Sequence, residues 1–186
     1  MNPLLIWFLG YTLPALVAGM AVNVLPRGKG RLNIRNVIIV NGALVVSIII
    51  NQYFIYAQGL TFPWFPNPLS FVAYVGVVWL ITSLLGSVGF WYGMSAFVQQ
   101  LTMLSVTFML LSTYPLHLII LLIVPLYSCC HLLNARKRIL RVALFLIWGS
   151  LSILIFSIWR NIFLNTALHT LFGALLIYKS LIYPEE

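Results

Sequence analysis

The chain has 186 residues, of which 62% are hydrophobic and only 6% charged, and its mean hydropathy is +1.06. This composition excludes an ordinary water-soluble domain, in which about a quarter of the residues are charged, and predicts a single integral membrane domain over residues 1–186. The net charge of +8 does not indicate nucleic-acid binding, because the cations lie in short segments beside apolar runs, where topology and contact with membrane lipids account for them.

The apolar runs predict an all-α, polytopic transmembrane bundle. Residues 36–135 contain no Asp, Glu, Lys or Arg, which is typical of helices packed in hydrocarbon. Seven segments are interpreted as membrane spans, namely residues 3–25, 37–57, 71–90, 95–112, 116–133, 142–159 and 161–178. The basic clusters at 27–35 and 136–141 are both expected on the cytoplasmic side. We therefore predict an external N-terminus, an internal C-terminus and a multi-pass protein of the inner (plasma) membrane.

Short segments are predicted to turn the chain between these spans. The proline-rich aromatic segment at 63–68 and the Thr-Tyr-Pro sequence at 113–115 are expected at the outer surface. The Trp-Tyr-Gly sequence at 91–93 is expected to turn the chain on the cytoplasmic side. Four spans then separate the two basic clusters, so that both clusters lie on the same side of the membrane.

Few residues are available for chemistry inside the membrane. The only acidic residues are Glu185 and Glu186, which excludes a paired-carboxylate protease and argues against magnesium or calcium bound between the helices. Cys129 and Cys130 are adjacent, which is not the spacing of a zinc site, and they are interpreted as packing residues with S-acylation as the alternative. We therefore predict neither a metal ion nor a cofactor.

Polar side chains within the spans are the remaining candidates. They are Gln99, Gln100, His117, His131, Asn165 and His169. Groups of this kind are costly in hydrocarbon, and they usually face the bundle or a wet cavity. One alternative is that each of them only joins two helices by a hydrogen bond. The other is a cytoplasm-facing pocket lined by Gln99, Gln100, His131 and His169, with Asn165 one helical turn from His169. His117 is assigned to the outer interface.

Three motifs follow one another in the second half of the chain, namely Gln99-Gln100-Leu-Thr-Met-Leu104, Tyr127-Ser-Cys-Cys-His131 followed by Asn134, and Leu168-His169-Thr-Leu-Phe-Gly173. With these motifs, this half of the chain resembles the CAAX-protease and bacteriocin-processing (CPBP) family of intramembrane glutamic proteases. The family patterns are Glu-Glu-xxx-Arg, Phe-xxx-His and His-xxx-Asn, in the same order. The resemblance implies a helical membrane fold in which the first glutamate of the pair, at the position of Gln99, activates water, supported by two histidines and an asparagine.

This chain departs from the family pattern at the catalytic positions. The glutamate pair is replaced by Gln99 and Gln100, whose amides cannot act as a general base. Leu104 stands in place of the arginine, and Gly173 in place of an asparagine that could donate to an oxyanion. The resemblance therefore implies a degenerate member, with Gln99, Gln100, His131 and His169 as remnants of the catalytic set.

These observations predict a non-proteolytic protein that binds a membrane-embedded substrate or partner, such as a membrane-anchored peptide. A non-catalytic subunit or scaffold of a membrane protein complex is the main alternative. A small-solute transporter has no support beyond polar residues facing inward. A b-type haem protein could use His117 and His131, although three histidines are too few for two bis-histidine haems.

Overall fold

The structure is a computed structural model that describes residues 2–17, 34–63, 67–130 and 138–178. These residues are helical apart from short connections, and no strand occurs among them. Seven helices are numbered here in chain order, and their bounds are α1 Pro3–Trp7 with a π-helical continuation Phe8–Thr12, α2 Ile34–Ala57, α3 Pro68–Leu85, α4 Ser87–Leu110, α5 Leu116–Cys130, α6 Arg138–Trp159 and α7 Ile162–Tyr178.

Four helical segments are long and apolar enough to cross a membrane, and they are Ile38–Ala57, Pro68–Leu85, Ser87–Leu110 and Val142–Trp159. Three shorter apolar helices cover Leu4–Val17, Leu116–Ser128 and Ile162–Leu176. The helical class of the fold and its membrane character are thereby confirmed. The count of seven spans and the orientation of the termini stay predictions, because length and composition do not determine them.

Helix α4 lies at the centre of the bundle and contacts each of the other six helices in the described part of the chain. Its sequence suits this position, because Gly89, Gly93 and Ala96 allow close approach by neighbouring helices. Helix α3 is different, since large apolar side chains such as Leu69, Trp79 and Leu84 are exposed along it. Exposed apolar side chains of this kind suit contact with lipid acyl chains.

The turn between α3 and α4 is at Gly86, and the predicted turn at residues 91–93 is wrong. Gly86 has φ +60° and ψ −143°, a conformation that residues with a side chain rarely adopt, and its N–H donates to the Thr82 carbonyl at 2.8 Å. Trp91, Tyr92 and Gly93 lie inside α4 instead. Gly93 is required for packing, because a Cβ at this position would lie 2.9 Å from the Val78 side chain.

The π-helical segment of α1 is joined to α2 through a main-chain carbonyl. The Gly10 carbonyl accepts hydrogen bonds from Ser47 Oγ and, at 3.0 Å, from Asn51 Nδ2. Ser47 and Asn51 are both completely buried. A glycine is required in α1 because Asn51 Oδ1 lies only 1.9 Å from the position of a Cβ on Gly10.

We expect Gly10→Ala to lower the free energy of unfolding by about 1–3 kcal/mol, the usual cost of forcing an extra carbon into a packed interior. Gly42→Ala in α2 is the matched control, because no atom lies within 4 Å of its added Cβ. The control should be neutral, or more stable by about 0.5–1 kcal/mol through its higher helix propensity. Denaturant titration in mixed micelles measures the free energy of unfolding of both variants. Equal stability of the two variants would contradict the close Gly10–Asn51 contact.

Candidate functional site

Five side chains from four helices form a hydrogen-bonded group, called here the polar cluster. Gln100 Nε2 lies 2.6 Å from His169 Nδ1, and the Tyr127 hydroxyl lies 3.4 Å from His169 Nε2. Ser152 Oγ lies 3.0 Å from Gln100 Oε1 and 2.9 Å from Asn165 Oδ1. Gln100, Ser152, Asn165 and His169 are completely buried, and Tyr127 is 5% exposed. The cluster therefore joins α4, α5, α6 and α7 through buried polar groups.

Two residues of the cluster, Gln100 and His169, lie near the middle of their helices. Gln100 is about 20 Å of helix rise beyond Ser87 and about 15 Å before Leu110. His169 is similarly about 10 Å beyond Ile162 and about 13 Å before Tyr178. If these two helices cross the bilayer, Gln100 and His169 lie close to its midplane, where water cannot replace a missing hydrogen-bond partner.

Aromatic rings surround the His169 imidazole. The ring centroids of Tyr92, Tyr127 and Trp148 lie 6.3, 6.2 and 5.9 Å from the imidazole centroid, all in edge-to-face orientations. Trp148 in turn stacks on Phe172, with centroids 4.9 Å apart. These three edge-to-face contacts favour a particular orientation of the imidazole.

Tyr92 occupies the space beside Gly173. A Cβ on Gly173 would lie 1.6 Å from the Tyr92 hydroxyl oxygen and 2.0 Å from its Cζ. A residue with a side chain at position 173 therefore cannot coexist with Tyr92 in its present position. This explains the glycine at the position where the resemblance leads us to expect an asparagine.

The structure brings together three of the predicted site residues, namely Gln100, Asn165 and His169. Gln99 is only half-buried and, within the described residues, makes no side-chain hydrogen bond, because consecutive residues of a helix point about 100° apart. His131 lies outside the described residues, so its predicted proximity to His169 stays a prediction. His117 is exposed at the start of α5, and its assignment to the outer interface stays a prediction.

The sequence interpretation missed Ser152 and Trp148 on α6 and the role of Tyr92 on α4. Ser152 links Gln100 to Asn165, and it lies one helical turn after Trp148 on the same face. The sequence does contain a weak signal for this site, because Trp148 and Ser152 are four residues apart within an otherwise apolar segment. It was not specific, because serine and tryptophan are also common in helices that have no site.

Several buried donors near the cluster have no hydrogen-bond partner within the described structure. They are Asn165 Nδ2, Trp148 Nε1, and the hydroxyl groups of Ser128 and Thr170. The cluster itself contains no carboxylate and no permanent cation. Its chemistry is therefore hydrogen bonding and, at His169, proton exchange, and no general base of the glutamate type is present.

Metal binding has no support in the described part of the chain, which contains no group of three or more His, Cys, Asp or Glu side chains able to share an ion. Comparisons with protein-family models, curated proteins and solved structures give no match. The resemblance to CPBP proteases therefore rests on the three sequence motifs alone.

Proposed function

We propose that this protein is a non-proteolytic, CPBP-like membrane protein that binds a membrane-embedded polypeptide at the polar cluster. The observation that carries the proposal is the contact between Gln100 on α4 and His169 on α7. These residues belong to the first and third motifs of the resemblance, which are 69 positions apart in the chain. Their contact supports the proposal, because it joins two positions that the resemblance selected from distant parts of the chain.

Two features support a site without proteolysis. Gln100 carries an amide where the family carries a glutamate, and this amide is already engaged by His169 and Ser152. Tyr92 also fills the space beside Gly173, where the family has a donor to the oxyanion. Activation of water and stabilisation of the developing oxyanion both lack their expected groups.

A polypeptide ligand is inferred from the resemblance and from the unpartnered donors. Asn165 Nδ2 and Trp148 Nε1 are hydrogen-bond donors that need an acceptor. The main-chain carbonyl of an unwound membrane segment is a neutral acceptor of the required kind. The complete burial of Gln100, Asn165 and His169 favours a second candidate, in which the cluster only stabilises a subunit or scaffold of a membrane complex.

The absence of proteolysis can be tested with a prenylated, membrane-anchored peptide in proteoliposomes. We expect the wild-type protein and His169→Ala to give the same background cleavage, because no group activates water. Gln99→Glu/Gln100→Glu restores the acidic pair but leaves Tyr92 in place, and we expect no gain of more than a few-fold. Cleavage by the wild type that His169→Ala abolishes would overturn the proposal.

Binding can be tested with a photoreactive phenylalanine analogue at position 99, which is half-buried and adjacent to the cluster. We expect it to cross-link the reconstituted membrane-anchored peptide, and excess unlabelled peptide should abolish the product. The control carries the same analogue at Leu84 on the exposed side of α3. Equal cross-linking at both positions would contradict a specific site. A stoichiometric partner protein retained after purification in mild detergent would favour the second candidate, a subunit or scaffold of a membrane complex.

A further inference from the structure

Ser152 has one hydroxyl hydrogen but two neighbouring amide oxygens. Its Oγ lies 3.0 Å from Gln100 Oε1 and 2.9 Å from Asn165 Oδ1, and one hydrogen cannot serve both acceptors. Ser152 must therefore accept from one of the two amides and donate to the other. The oxygen and nitrogen of an amide have nearly the same shape, so either Gln100 or Asn165 presents its NH2 group to Ser152.

The contact between Gln100 and His169 decides between these two arrangements. If Asn165 presents its NH2 group to Ser152, then Gln100 keeps its nitrogen toward His169 Nδ1, and an N–H···N bond must span 2.6 Å. If Gln100 presents its NH2 group to Ser152, its oxygen faces Nδ1 instead. A separation of 2.6 Å is slightly shorter than the usual range of about 2.7–3.2 Å for N–H···O bonds, and nitrogen is the larger acceptor, so oxygen is the better fit.

We infer that Gln100 is a positioning residue that holds His169 as the neutral tautomer protonated at Nδ1. In this arrangement His169 Nδ1–H donates to Gln100 Oε1, and Gln100 Nε2 donates to Ser152 Oγ. Ser152 in turn donates to Asn165 Oδ1, and the Tyr127 hydroxyl donates to His169 Nε2. Each hydrogen is used once, and all four contacts of the cluster run in one direction from Tyr127 to Asn165.

This tautomer determines which ligand group His169 can recognise. Nε2 then carries the lone pair of the ring, which the Tyr127 hydroxyl occupies at 3.4 Å. A ligand group can contact this atom only by displacing that hydroxyl, and it must offer a hydrogen-bond donor such as a main-chain amide N–H or a hydroxyl. This second step rests on the proposed function, whereas the tautomer itself does not. The tautomer is a property of the ligand-free protein and is tested without any ligand.

The test uses ¹⁵N-histidine and correlations between the imidazole ring protons and nitrogens, which distinguish the two neutral tautomers. The chain has three histidines, so His117→Gln/His131→Gln leaves His169 as the only imidazole. We expect a protonated Nδ1 and an unprotonated Nε2 in this background. A proton on Nε2 alone would overturn the inference, and this result does not depend on any further variant.

Two substitutions at position 100 provide a second test in the same background. Gln100→Glu keeps an acceptor for Nδ1–H, and in its carboxylate form it has no donor for a bare Nδ1, so Nδ1 should stay protonated. Gln100→Leu removes the acceptor, and the signal should shift toward the form protonated at Nε2. Gln99→Leu is the control outside the cluster and should leave the spectrum unchanged. The proposed role of Gln100 would be contradicted if Nδ1 lost its proton in Gln100→Glu. It would also be contradicted if Nδ1 kept its proton fully in Gln100→Leu.

Discussion

Gly89→Ala is expected to disrupt the packing of α3 against α4. The added Cβ would lie 2.2 Å from the Ile81 carbonyl oxygen and 2.7 Å from the Ile81 carbonyl carbon, both of which belong to the backbone of α3. A side chain could rotate away from such a contact, but a helical backbone cannot, so one of the two helices must move. We expect a loss of about 3 kcal/mol in the free energy of unfolding, at the upper end of overpacking effects.

Gly76→Ala is the matched control for this prediction. Gly76 lies on α3 and has no atom within 4 Å of its added Cβ, so the same substitution meets open space. It should leave stability unchanged or raise it by about 0.5–1 kcal/mol. Reversible unfolding in mixed micelles compares the two variants. A Gly89→Ala protein as stable as Gly76→Ala would show that the helices are farther apart than described here.

Gly173→Asn is expected to displace Tyr92 from its contact with the polar cluster. The new Cβ would overlap the Tyr92 hydroxyl oxygen and Cζ, at 1.6 and 2.0 Å. Because the Tyr92 ring lies edge-to-face with His169, its movement also removes one of the rings that orient the imidazole. We expect a loss of about 1–3 kcal/mol of stability and a changed His169 resonance.

The double variant Gly173→Asn/Tyr92→Ala tests whether the two positions share one volume. Tyr92→Ala alone should be destabilising, because it leaves a cavity beside Gly173. The asparagine should then be better tolerated in the double variant than in the wild type, with a coupling of about 0.5–3 kcal/mol. Strict additivity of the two substitutions would contradict the contact between Tyr92 and Gly173.

The helical class of the fold could be predicted from the sequence because hydropathy reports it directly, but the turn between α3 and α4 could not. Trp91, Tyr92 and Gly93 combine interfacial aromatic residues with a helix breaker, which is typical of a turn at a membrane surface. In the structure Gly93 instead permits contact with Val78, and the positive φ of Gly86 turns the chain. Composition alone does not distinguish a glycine that turns the backbone from one that allows helices to pack.

Part of the candidate site could be predicted because the motifs supplied it. The resemblance selected Gln100 and His169, which are 69 positions apart in the chain, and they are in contact. It could not separate Gln100 from Gln99, because α4 is buried on nearly all sides and its hydropathy carries little information about direction. Ser152 was not predicted, since its role depends on the packing of α6 against two other helices.

The central position of α4 has a consequence for the order of biosynthesis. Ser152 follows Gln100 by 52 residues and His169 follows it by 69. At a translation rate of about 5–20 residues per second, His169 is made roughly 3–14 s after Gln100. Until Ser152 is made, after 52 of these 69 residues, the glutamine amide has none of its final partners, which is costly in hydrocarbon. A nascent chain that stalls before α6 is complete therefore carries a bare amide within the lipid phase, a feature that distinguishes unfinished chains from finished ones.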